Sequence, residues 1–370
     1  MTESGALPSQ FINQIARLGH LKLGTKDSIR DDQVKPASYD LTLGKRAWCV
    51  KSTFLPSPGE TIQEILSRYT LYEFTMDKAA VLTVGSTFVI ELEETFALAD
   101  DISALVSPKS SSGRINLWVR TLVDGYPRFD RIPKGYHGKI YALIASKSWP
   151  IRVRQGDSIT QARFFRGNTG RLGAFELKLL NQEVGLLYDQ SGNLIEDDSM
   201  VGDDGLTLTA DLDQPIVAYQ AKHAMEVLDL GKIRMHAADD FFIPIRGNKH
   251  KEIILRQGEF YILSSFEQIR IPLEYASEMM AYDIAAGEFR SHYAGFFDPG
   301  FGYGKNGTIK GTPAVLEILP HENVILRHRQ PVCKMIFERL LDLPDRVYGV
   351  DIKSNYHKQR GPQLSKHFNV

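Results

Sequence analysis

GSTFVIELEETFALADDI (residues 85–102) and GEFYILSSFEQIRIPLEY (residues 258–275) lie over one another when the chain is shifted by 173 residues. Identities between them are few. What they share is the alternation of apolar and polar positions that a half-buried strand requires. Without a gap, the same shift sets Gly138 on Gly311, Leu143 on Leu316, Arg154 on Arg327, Ile159 on Val332 and Phe164 on Phe337. We read this as a duplication: two halves, each a weak copy of the other.

Outside these stretches the chain still reads in short runs. KIYALIA (139–145), PIRVR (150–154), EIILRQ (252–257) and AVLEIL (314–319) are rich in β-branched and aromatic residues, and Gly, Pro, Asp and Asn bound them at short intervals. Helical periodicity is confined to Pro8–Leu18, Gln63–Tyr69 and Tyr275–Ala281. The predicted fold is therefore mainly β, a sandwich or barrel type with a few short helices. The 370 residues suffice for two domains. The acidic, Gly-bearing stretch from Tyr188 to Asp213 reads as a linker or exposed hairpin, which divides the chain into residues 1–190, a linker at 191–212 and residues 213–370.

Composition narrows the function. Lys plus Arg is 44 and Asp plus Glu is 45, a balance that argues against a dedicated nucleic-acid or membrane-surface binder. Two cysteines, Cys49 and Cys333, cannot build a disulfide framework or a Cys-rich zinc site. No run of eighteen apolar residues and no leader pattern is present, so a reduced, cytoplasmic, soluble protein is expected.

Four segments carry polar chemistry. In Lys109-Ser110-Ser111-Ser112-Gly113-Arg114, small hydroxyls and two cations suit phosphate oxygens, although the run reads equally as a solvated turn. Phe297-Asp298-Pro299-Gly300-Phe301 fixes a carboxylate on a turn beside an aromatic, where it can grip a ribose hydroxyl or simply close the turn. Glu317 stands alone in an apolar strand; it either faces solvent or, if buried, gains a raised pKa and serves as a general base. The basic tail Tyr356–His367 is a disordered end or a lid over a polyanion.

Together these segments resemble the dCTP deaminase and dUTPase superfamily, most closely the long two-domain dCTP deaminases of some bacteria. Gln33–Gly44 (QVKPASYDLTLG) is similar to the "QPASxDLRLG" opening, and Lys109–Arg114 to "RSSxxR", with Lys in place of the first Arg. Phe297–Phe301 with Leu316-Glu317 is similar to "IDPGW…LEF", and Tyr356–Lys366 to the tail "KYxxQxGPxxSR". The four stretches follow the family's order across nearly the whole chain.

The resemblance implies two tandem dUTPase-like domains of β-clip or distorted-barrel form. It also implies zinc-independent hydrolysis of dCTP to dUTP and ammonia, feeding dUMP and dTTP synthesis. Glu317 would activate water, and Ser110 and Arg114 would complete the catalytic set. Lys109, Ser111, Ser112, Arg131, Asp298, Phe301, Tyr356, Lys358, Gln359 and Lys366 would bind substrate. Mg²⁺ would arrive with the triphosphate, no protein metal site being implied. No nucleic acid or membrane is implied as a partner. The alternatives are a dUTP pyrophosphatase, a bifunctional enzyme and a non-catalytic nucleotide-binding regulator.

The departures from the family pattern are complementary. Ile144 and Leu143 occupy the first-half position of Glu317, and Tyr282–Gly287 brings neither Ser nor Arg to the second-half position of the Ser-rich run. Each half keeps what the other has lost, so one composite site is expected, as in the doubled herpesvirus-type dUTPases. A homo-oligomer or a single chain can satisfy that requirement.

Overall fold

The computed structural model describes residues 4–24, 29–202, 205–282, 289–291, 295–352 and 354–369. The chain is mainly β, with short helices between strands. It forms two compact units that do not follow the sequence halves. The N-terminal unit holds Ala6–Asn168 together with His223–Ala237 and Ser365–Val370. The C-terminal unit holds chiefly Thr169–Lys222 and Ala238–Leu364.

In the N-terminal unit one sheet runs in the order Thr70–Thr75, Leu43–Val50, Thr87–Ala97, His137–Ser146, Leu117–Val123. A second pairs Ile102–Pro108 with Thr160–Arg166 and Arg131–Ile132, and Tyr39–Leu41 joins Thr160–Arg166. The C-terminal unit repeats the plan. Tyr261–Ile269 pairs with Thr312–Pro320, and Tyr275–Ala281 with Pro331–Arg339. Its core gathers alternate residues, Tyr261 and Leu263 from one strand and Ala314, Leu316 and Ile318 from its neighbour, as the pleat requires.

The 173-residue offset survives at the level of register. Pro108 faces Thr160 in one unit, and Ala281 faces Cys333 in the other. Val81 opposite Arg152 is matched by Ile254 opposite Ile325. A one-residue slip would turn every side chain to the wrong face, so equal registers in two strand pairs carry more weight than sequence identity.

Helices α1 (Ser9–Arg17) and α2 (Ile62–Tyr69) lie where periodicity predicts. Thr61 and Glu64 close a capping box on α2, with Glu64 N donating to Thr61 Oγ1 at 3.2 Å and Thr61 N to Glu64 Oε2 at 2.7 Å. Tyr275–Ala281, expected as a helix, is a strand; seven cross-strand pairs with Pro331–Arg339 override the local helix-forming residues. The stretch expected as a linker contains the strand Gly205–Thr209, buried throughout and paired with Pro331–Arg339. The helix Ala174–Val184 lacks the periodic signal, because its apolar residues ring it: Leu177 is buried while Phe175 and Leu179 face solvent.

Each unit also buries a glutamate at the same repeat position. Glu94 takes Thr42 N at 2.9 Å, Thr42 Oγ1 at 2.8 Å and Gln33 Nε2 at 2.9 Å. Glu267 takes Thr209 N and Oγ1, both at 2.7 Å. These knots tie the strand after each unit's opening segment to its central sheet.

Candidate active site

In the N-terminal unit, strand Ile102–Pro108 runs into a single helical turn, α3 (Ser110–Gly113). Lys109 N and Ser112 Oγ both donate to the carbonyl of Ile159, at 3.0 and 2.8 Å, which pins the turn to the end of the neighbouring strand. Ser111, Ser112 and Arg114 are buried, and Lys109 and Ser110 are half-buried.

Charge gathers beside this turn. Lys109 Nζ lies 2.5 Å from Asp40 Oδ2 and 3.3 Å from Ser158 Oγ, and Lys35 Nζ is 3.5 Å from the same Asp40 oxygen. Burial, and then the proximity of Lys109, hold the Lys366 ammonium below its ordinary pKa, while Asp40 and Asp157 oppose the shift. Three ammonium groups thus share two carboxylates, leaving a positive excess in a partly desolvated place, an environment suited to phosphate oxygens. Ser365 Oγ donates to the carbonyl of Ser111 at 2.9 Å.

In the C-terminal unit Glu317 lies on Thr312–Pro320, opposite Ile262. Its neighbours Leu316 and Ile318 enter the core, so Glu317 projects from the other face with Val315 and Pro313. It is nonetheless 5% exposed, which removes the solvent-facing reading of this acid. The tail packs along the same strand. Gln359 Nε2 donates to the carbonyl of Pro313 at 2.6 Å, and Thr312 Oγ1 to that of His357 at 3.4 Å. A cavity of about 250 Å³ opens there, lined by Ser264, Gln268, Pro313, Asp211, Arg360 and Gly361 among others.

The remaining residues expected at the site divide clearly. Tyr356 and Gln359 are buried, whereas Lys358 is exposed. Asp298 is buried on its turn, where Phe301 N donates to its carbonyl at 3.1 Å and Gly300 takes a φ of 96°. The Phe301 ring belongs to the core, edge-on to Phe297 at 5.0 Å and tilted against Tyr348 at 5.6 Å; these are packing contacts. Arg131 is exposed on a short strand opposite Leu105, three residues back from Pro108. Of the segment Tyr282–Gly287, residues 283–287 lie outside the described residues. Among the described residues no group of three His, Cys, Asp or Glu side chains could hold a metal ion, and no helix is long and apolar enough to cross a membrane.

The structure adds residues that sequence reasoning passed over. Asp40 stood inside the quoted QVKPASYDLTLG stretch, but its partner Lys109 is 69 residues away. Glu94 and Glu267 coincide in the repeat, and an acid kept at one position of two apolar strands was a readable signal.

The N-terminal domain model of 2'-deoxycytidine 5'-triphosphate deaminase matches residues 3–168, and the C-terminal domain model matches residues 176–368. A dCTP deaminase of Ignicoccus hospitalis is 27% identical over 168 residues, 45% of this chain and 86% of that protein. A "dCTP deaminase, dUMP-forming" of Methanoculleus marisnigri is 29% identical over 155 residues, 40% of this chain and 74% of its own length. The crystal structure of 2'-deoxycytidine 5'-triphosphate deaminase from Agrobacterium tumefaciens superimposes with a TM-score of 0.85 at 36% identity, covering 95% of this chain and all of that one.

Proposed function

Because the chain belongs to the dCTP deaminase family, we propose that this enzyme hydrolyses dCTP to dUTP and ammonia, with Glu317 as base and the Ser110–Gly113 turn as phosphate holder. Glu317 takes a proton from water as the oxygen attacks C4 of cytosine. It returns that proton to the exocyclic nitrogen, which leaves as ammonia, so one water is consumed for each amine released. A buried acid is suited to both transfers. Ser110, Ser111 and Arg114 supply donors to the developing charge and to the phosphates, joined by Lys109 and Lys366. Mg²⁺ enters on the triphosphate as part of the substrate.

The observation that carries the reading is the division of parts. A buried acid stands on Thr312–Pro320, where the other unit's equivalent strand has Leu143 and Ile144. The hydroxyl- and cation-bearing turn Ser110–Gly113 belongs to the N-terminal unit, and the sequence at the equivalent position of the other unit, Tyr282–Gly287, has neither Ser nor Arg. Within the C-terminal unit Gln359 bonds to the Glu317 strand, and within the N-terminal unit Ser365 bonds to the carbonyl of Ser111. Glu317→Gln is expected to lower kcat for ammonia release from dCTP by about 100-fold or more with the thermal melt nearly unchanged, and Arg114→Ala to do likewise with a cooperative melt retained. Full turnover in either variant would refute the assignment.

A second reading, a bifunctional enzyme, is favoured by the names of the relatives, several of which are called dUMP-forming. Product analysis separates the two. Deamination alone yields dUTP, whereas the bifunctional reaction yields dUMP and pyrophosphate, with the buried Asp298 as the acid to test by Asp298→Asn.

A further inference from the structure

The last residues of the chain do not have the setting of a free lid. We propose that Ser365 is a positioning residue for the Ser110–Gly113 turn and that Ser365–Asn369 is a strap fixed in place before substrate binds. The proposal deepens the functional reading above, and its kinetic arm rests on that reading.

The turn has a gap that Ser365 fills. Within and just after α3, amide groups donate to the carbonyls of Lys109, Ser110, Ser112 and Gly113. The Ser111 carbonyl instead takes the Ser365 hydroxyl at 2.9 Å, both residues being buried. Short helices leave such carbonyls to be satisfied from outside. Ser365 Oγ is in turn 3.0 Å from Nδ1 of the buried His367.

Main-chain bonds hold the strap to the arm His223–Ala237 of the same unit. Arg234 N donates to the carbonyl of Lys366 at 3.0 Å, and Met235 N and His236 N donate to that of His367, both at 3.1 Å. Phe368–Asn369 pairs in parallel with His236–Ala237, and the buried Phe368 ring meets His236. The arm is itself locked. Leu228–Asp229 adds a parallel strand beside Ile151–Val153, and the Asp229 carboxylate takes both terminal nitrogens of Arg154 at 2.5 and 2.9 Å. A lid that opened each cycle would have to break all of these. Lys366 is therefore installed beside Lys109 by the fold, and the strap sets the geometry of the turn.

Hydrogen exchange on the full wild-type chain tests the strap without relying on turnover. Amides in 234–236 and at Phe368 should exchange about 100-fold slower than an unstructured chain with no nucleotide present, and adding dCTP with Mg²⁺ should leave them as they are. Fast exchange that slows only with nucleotide would overturn the proposal in favour of a lid. For Ser365→Ala, KM for dCTP should rise about tenfold while kcat stays within about twofold, and Ser365→Thr should restore it; an unchanged KM would overturn the positioning role. A wild-type chain that released no ammonia from dCTP would defeat the functional reading, and the exchange result would still decide the strap.

Discussion

Glu94 shows how a single buried side chain can set the pH response of a unit. Its carboxylate receives three hydrogen bonds, yet burial dominates and pushes its pKa from 4.5 up to about 7. A group whose folded pKa is raised stabilises the fold fully below its unfolded pKa, and the benefit is lost as pH climbs through the folded value. Between about pH 4.5 and 7 the wild-type chain should therefore lose on the order of 3 kcal/mol from this site. Glu94→Gln cannot titrate, and it carries its lost hydrogen bond as a constant cost. Unfolding by urea at pH 5 and pH 8 should show the gap between wild type and Glu94→Gln narrowing as pH rises; a gap independent of pH would show that Glu94 does not titrate in this range. The repeat made Glu94 and Glu267 readable as a pair. Their threonine partners lie 52 and 58 residues upstream, where no local pattern could point to them.

Elements differ in how much of their structure is locally determined. Helix α2 carries its start signal in sequence, Thr61 followed by Glu64, and its buried face in Ile62, Ile65 and Leu66. Removing the cap with Thr61→Ala should cost about 1 kcal/mol, read as a small drop in the melting temperature with no change in activity. Tyr275–Ala281 is the opposite case. Its Ala, Glu and Met favour a helix in isolation, and only the strand Pro331–Arg339, more than fifty residues later, fixes it as β. The information lay in the repeat: Ile102–Pro108, its counterpart at the 173-residue offset, folds as a strand. The candidate site divides in the same way. The Ser-rich turn and the lone Glu317 were legible as chemistry, whereas the burial of Glu317 and the capture of Lys109 by Asp40 depend on strand pairings that bring distant segments together.

At the scale of the whole molecule, duplication was legible and exchange was not. Apolar alternation at a fixed offset marks two similar halves, but a crossing arm such as His223–Ala237 buries only a short strand and leaves no periodic trace. Its anchor is electrostatic. Asp229 is 4% exposed and is gripped by Arg154, with Arg152 at 3.4 Å, and hydrogen bonds from Arg154 hold its carboxyl well below the ordinary carboxylate range. Both arginines are about two-fifths exposed, so screening reduces what the clamp contributes to about 1 kcal/mol. A depressed pKa stabilises the fold above the unfolded value of 3.8 and ceases to do so as pH falls below it. Asp229→Ala should accordingly be less stable than wild type at pH 7, and the difference should shrink as pH falls from 4 towards 2. It should also speed amide exchange at 234–236, because the arm that receives the C-terminal strap loses its anchor. Unchanged exchange in that variant would mean that the arm is held by Leu228 and its main-chain bonds alone, and that the charge pair is incidental to how the C-terminal strap is joined to the N-terminal unit.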